Sequence, residues 1–186
     1  MFGVFFIMQT IATGLHREKI EGTFRRLQSA PISAFALLAG KLLPYYLINL
    51  LQIALMFTIG VLVFGMSLGH DPLALFLLSL ATAAAATGLG LLIASFTRTP
   101  EQASSLGTLF SVILPAVGGM MVPTYVMPHF MQTASLITPH AWALNGYQAL
   151  IVRGQGLPDI LPIIGVLLLF ALLFWGLALR TFRFEA

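Results

Sequence analysis

The side chains able to do chemistry are few: four histidines, six acidic and nine basic residues among 186, and no cysteine. His16, His70, His129 and His140 are dispersed, and no His-Glu-x-x-His sets a metal and a base on one helical face. His129 and His140 have no third ligand nearby, and the lack of cysteine removes thiolate metal sites and disulfides. His70-Asp71-Pro72 reads as a solvated polar turn, a proton or metal role being the lesser alternative. The carboxylates show no pairing for general acid–base work. A phosphate-binding loop needs Gly-x-x-x-x-Gly-Lys-Ser/Thr, so that backbone N–H groups and the lysine cradle the phosphates. Here Gly40-Lys41 is followed by Leu42, and Phe35 stands where the first glycine belongs. The reading is therefore of a chain with no catalytic residues, no metal ligands and no cofactor of its own.

The densest charge lies in 16–31, with His16, Arg17, Glu18, Lys19, Glu21, Arg25 and Arg26. Gly22 can break an incoming helix, Thr23 can cap a new short one, and Pro31 can close it. Ile20, Phe24 and Leu27 then share one face at i, i+4 and i+7, with charges on the others. Such an amphipathic helix suits either a solvated loop that anchors topology or a dock for a cytoplasmic partner.

Most of the chain must position these residues inside a bilayer. It is 59% hydrophobic and 8% charged, with a mean hydropathy of +0.97, whereas a soluble domain is about 25% charged. A span needs about 20 mainly apolar residues. Met1 to Leu15 is apolar but short, with no basic start or cleavage site of a signal peptide. Leu42 to Gly69, Leu73 to Thr97, Gln102 to Val122 and Ile160 to Leu179 are long enough to cross, and Pro44 is expected to kink the first of these helices. Pro123 to Gly156 is broken by prolines and glycines and predicts short helices lying at, or dipping into, the outer interface. The fold class is an all-α membrane protein of five spans, the first truncated, with a cytoplasmic amphipathic helix and an outer re-entrant helical region.

Lys and Arg set the orientation. With 16–31 inside, Arg17, Lys19, Arg25, Arg26, Arg98, Arg180 and Arg183 are all cytoplasmic, Lys41 sits at the inner interface, and Arg153 alone lies outside. The net charge of +3 and pI of about 9.7 thus reflect topology rather than nucleic-acid binding. The N-terminus is placed outside and the C-terminus inside; an outside start on a half-length helix points to an upstream span that this chain lacks. Ala81, Ala84, Ala85 and Gly88 form one row of small residues, and Ser104, Thr108 and Ser111 another. Both suit bundle packing, a dimer contact being the alternative. Asn49 and Gln52 share a helical face, where they either bond between helices or line a substrate path. No ionisable residue falls in mid-span, which speaks against a proton-coupled carrier.

Taken together, these segments resemble the permease of the ABC-2 type transporter family. The resemblance is carried by Arg17-Glu18-Lys19, Gly22-Thr23, Leu27 and Pro31, then Gly40-Lys41-Leu42-Leu43-Pro44. It continues through Gly88 to Thr99, through Gly118 to Gln132 with Pro123 and Pro128, and into Pro139-His140-Ala141-Trp142-Ala143-Leu144. It covers nearly the whole chain, 1–186, as a single transmembrane domain without the family's first span or any ectodomain. It implies an export permease in the cell membrane, paired with a second permease copy or homologous half and with cytoplasmic ATPase subunits that bind ATP and Mg. It makes 16–31 the coupling helix, with Glu18, Glu21, Gly22, Phe24, Arg25 and Leu27 as ATPase-coupling residues. The alternative is an ATP-independent channel or scaffold that shares only the helical hydropathy.

Overall fold

The computed structural model describes residues 2–21 and 33–181. A 3-10 turn, Phe2–Phe6, leads into α1, Ile7–Ile20. Then follow α2, Ala34–Phe64, α3, Pro72–Phe96, and α4, Pro100–Val117. A 3-10 turn, Thr124–Val126, precedes two short helices, α5, His129–Ser135, and α6, Pro139–Ile151; α7, Leu157–Thr181, closes the chain. No strand occurs among the described residues.

Local chemistry sets the helix ends. Ser33, Asp71, Thr99 and Thr138 cap α2, α3, α4 and α6, each side-chain oxygen accepting an N–H of the first turn. Proline opens α3, α4 and α6, where its missing N–H costs nothing. Gly65, at φ 62°, stops α2 in the left-handed conformation, and its N–H and that of Met66 bond back to Val61 and Gly60.

Among the described residues three helices are long and apolar enough to cross a membrane: the α2 stretch Phe35–Phe64, and all of α3 and α7. α1, with 14 residues, and α4, with 18 residues and a polar first half, are shorter than these. α3 is the central post. Its alanines and glycines let α7, α1, α6, α2 and α4 close around it. A Cβ added at Gly90 would come within 2.8 Å of the Met8 Cα, so the α1 and α3 backbones touch there.

Three expectations change. α1 does not stop at Leu15: it runs through the charged residues to Ile20, because Arg17 and Glu18 suit a helix and Glu18 finds a partner on α2. The stretch Gln102–Val122, expected to cross, holds a helix that runs only from Pro100 to Val117 and ends before Gly118 and the positive-φ Gly119. The Ser104, Thr108 and Ser111 row is not one buried face: Ser111 is buried, Ser104 half-buried and Thr108 exposed. The α4 residues turned inward are Ala103, Gly107, Ser111 and Pro115.

The segment after α4 packs inward. The Tyr147 hydroxyl donates to the Ser79 hydroxyl at 3.2 Å, and a Cβ at Gly146 would meet Leu78 at 2.9 Å and Ile163 at 3.2 Å. α6 therefore lies alongside the first turns of α3 and α7, reaching about 10 Å down α3 at 1.5 Å per residue.

Candidate functional site

Four polar side chains of α1, Gln9, Thr10, Thr13 and Arg17, are mostly one turn apart and so lie along one side of the helix. α4 opens with Pro100 and Glu101 and presents Ser104 a turn later. Gly107 brings the two helices together: a Cβ there would stand 3.0 Å from the Gln9 Cα. Beside this contact runs an open cleft of about 530 Å³, lined by Gln9, Thr10, Thr13, Arg17, Pro100, Glu101 and Ser104.

The lining is rich in hydrogen-bonding groups. Gln9 Nε2 reaches the Ser104 hydroxyl at 3.4 Å across the cleft, and the Thr13 hydroxyl donates to the Gln9 carbonyl at 2.9 Å. At the charged end, Arg17 and Glu101 both border the opening. The cleft can offer amide, hydroxyl and guanidinium groups to a polar or amphipathic molecule.

The predicted site residues are placed as follows. Glu18 forms a 2.7 Å ion pair with Lys41, joining α1 to α2, and both side chains are about a quarter exposed. A pair so placed contributes at most about 1 kcal/mol. Glu21 is exposed just past α1, and its N–H donates to the Arg17 carbonyl. Gly22, Phe24, Arg25 and Leu27 lie outside the described residues. Gln52 bonds between elements, its Nε2 donating to the Gly3 carbonyl at 2.9 Å. Asn49 is fully buried, and its amide has no partner among the described residues. Neither Asn49 nor Gln52 borders the cleft.

His16, His140 and Asp71 make contacts that the sequence reading does not contain. His16, counted with the cytoplasmic charges, is buried, and its Nε2 lies 2.7 Å from the Thr97 hydroxyl at the end of α3. His140, expected outside, is fully buried and stacks on Phe5 with ring centroids 3.7 Å apart. The inward course of α6 carries it there, and neither ring nitrogen is paired among the described residues. Asp71 is no free loop acid: one oxygen caps α3 at Ala74 N and the other accepts Leu157 N, both at 2.9 Å, so it ties together the starts of α3 and α7. These N–H groups hold its carboxyl below the ordinary value. The α1 stripe was the signal available for the cleft, but its α4 partners are about 90 residues away and no spacing rule links them.

Helices of membrane length and apolar composition, packed in one bundle, are those of a membrane-embedded protein. The family profile described as "ABC-2 family transporter protein" matches residues 1–180, and the chain belongs to that family. It is 33% identical over 185 residues to the linearmycin resistance permease protein LnrN of Bacillus subtilis strain 168, covering 98% of this chain and 48% of that protein. It is 31% identical over 172 residues to the probable multidrug ABC transporter permease YbhS of Escherichia coli K12, covering 90% of this chain and 45% of that protein. The inner membrane transport permease YhhJ of Escherichia coli K12 is 27% identical over 181 residues, covering 95% and 48%. The chain thus spans about half the length of these relatives. No solved structure matches it.

Proposed function

We propose that this chain is the membrane-embedded part of a permease in an ATP-driven exporter, and that the α1–α4 cleft is a wall of its substrate path. The observation that carries the reading is the cleft itself: a run of hydroxyl, amide and charged groups in a chain only 8% charged. A surface of that kind needs a cover in the bilayer. A second permease copy, or a homologous half, facing this cleft would close it and leave a polar channel between the two. ATP and Mg then belong to a separate cytoplasmic ATPase, since this sequence has no phosphate loop. The coupling contact is assigned to the stretch after α1, with Glu21, Gly22, Phe24, Arg25 and Leu27 on the ATPase, while Glu18 steadies it through Lys41.

α1, α2, α3, α4 and α7 serve as the five crossings in this proposal, and α6 as the re-entrant element. The N-terminus and the turn at 70–71 face outward, and the C-terminus faces the cytoplasm. The names of the relatives suggest amphipathic, drug-like cargo. The deciding experiment co-purifies the permease with its candidate ATPase in lipid and measures substrate-stimulated ATP hydrolysis. Thr10→Leu with Thr13→Leu should abolish most of the stimulation while leaving ATPase association unchanged. Phe24→Ala should weaken the association itself. Full stimulation in the double threonine variant would remove the cleft from the path.

A further inference from the structure

A second groove lies between the last turns of α2 and α6. It holds about 270 Å³ and is walled by Met56, Phe57 and Gly60 of α2 and by Leu144 and Tyr147 of α6, with Met66 near its end. The Phe57 and Tyr147 rings pack 5.5 Å apart as part of the wall. The Tyr147 hydroxyl is turned away into the bundle toward Ser79, so its ring is what lines the groove. Gly60 leaves room for the Met66 side chain, which a Cβ would meet at 2.9 Å. Flexible thioethers and flat rings suit a narrow, adaptable, apolar occupant. Beside the groove, Leu55, Ile59, Leu62 and Val63 of α2 are exposed apolar side chains.

A cation stands at the flank of this groove. Just past α6, the Arg153 side chain folds back, and one guanidinium nitrogen donates to the Asn145 carbonyl at 2.9 Å, next to the groove residues Leu144 and Gln148. A guanidinium has five N–H donors in a planar fork, so most remain available. The nearby acids are occupied: Asp71 by the N–H groups of Ala74 and Leu157, and Asp159 by that of Gly156. Among the described residues no carboxylate pairs with Arg153. By the distribution of Lys and Arg it is also the one basic residue assigned to the outer side.

We propose that this groove is a binding site for an anionic phospholipid, with one acyl chain along Met56, Phe57 and Leu144 and the phosphate held by Arg153. The site rests on the bundle's place in a bilayer and is independent of ATP coupling. Apolar lining alone would not distinguish the groove from the rest of a lipid-facing surface; the guanidinium does, because its fork matches phosphate oxygens. A second copy of the chain is a poorer fit. Protein interfaces bury about 800 Å² per partner, far more than this slot presents.

The test reconstitutes the chain with equal parts of phosphatidylglycerol and phosphatidylcholine, extracts it gently and counts retained lipids by native mass spectrometry. The wild type should retain phosphatidylglycerol about fivefold over phosphatidylcholine, the size of one basic contact at an anionic surface. Arg153→Gln should erase that preference, and Arg153→Lys should keep part of it. Met56→Trp should fill the slot and lower retention of both lipids. These side chains lie at the surface, so the variants should melt like the wild type. No headgroup preference in the wild type, or an unchanged one in Arg153→Gln, would overturn the site. So would spontaneous disulfide dimers of Met56→Cys in this cysteine-free chain, which would put a second copy in the groove. Because no ATPase enters the measurement, its failure and that of the exporter reading are separable.

Discussion

α2 and α3 are nearly equal in apolar character, with mean hydropathies of 2.3 and 2.0 over their membrane-length stretches, yet they sit in opposite places. α2 turns Leu47, Leu51, Leu55, Ile59 and Leu62 outward, while α3 is enclosed along most of its length. The difference lies in residue size. Lipid tails are as apolar as leucine, so hydrophobicity does not sort helices between lipid and protein. Close packing does, and α3 carries Ala81, Ala83, Ala85, Ala86, Gly88 and Gly90 where its neighbours come nearest. The lesson extends to α4, where Gly107 marks the contact with α1 and the larger Leu106 and Leu109 face out.

Substitutions can set the two helices against each other. The largest effect is expected at Gly90. Its Cβ direction meets the Met8 backbone, which cannot step aside, so Gly90→Leu should cost about 3 kcal/mol or more. Size-exclusion profiles and thermal midpoints in detergent would show it as lost monodisperse protein. Gly88→Ala is milder, because the nearest atoms belong to the Trp175 and Phe174 side chains at 3.1 and 3.3 Å. A loss of about 1 kcal/mol is expected, measurable as a lower midpoint. A midpoint equal to wild type at both positions would end the argument from residue size.

Asp71 gives a smaller, pH-dependent effect at the start of α3. Its folded carboxyl lies below the ordinary 3.8 because Ala74 and Leu157 donate to it. A depressed carboxyl contributes stability that is present above the unfolded value and disappears as pH falls through the folded one. Melting should therefore be flat from neutral pH to about 4 and fall below that, with the extra acid sensitivity absent in Asp71→Asn. Equal acid curves for both proteins would dissolve the clasp between α3 and α7. The smallest effect belongs to α2. Leu62→Ala, on a side chain 79% exposed, should stay within about 0.5 kcal/mol of the wild type in detergent. A large loss there would show that a protein surface covers α2.

The amino-acid order by itself determined that the chain is helical and apolar, where most helices start, and which family it belongs to. Those properties are local. Caps at Asp71, Thr99 and Thr138 act within one turn, prolines act on their own peptide, and long apolar runs need no partner to be recognised. For Gln52 the sequence left a bond between helices and a substrate path both open. Tertiary structure alone decided which groups face one another. It joined Gln9 to Ser104, set His16 against Thr97 and Glu18 against Lys41, gave Asp71 a second helix to hold, and drew His140 inward onto Phe5. Each depends on two segments far apart in sequence meeting at one depth. In an apolar chain, where hydrophobicity carries no direction, that depth is set by how closely small residues let the helices approach.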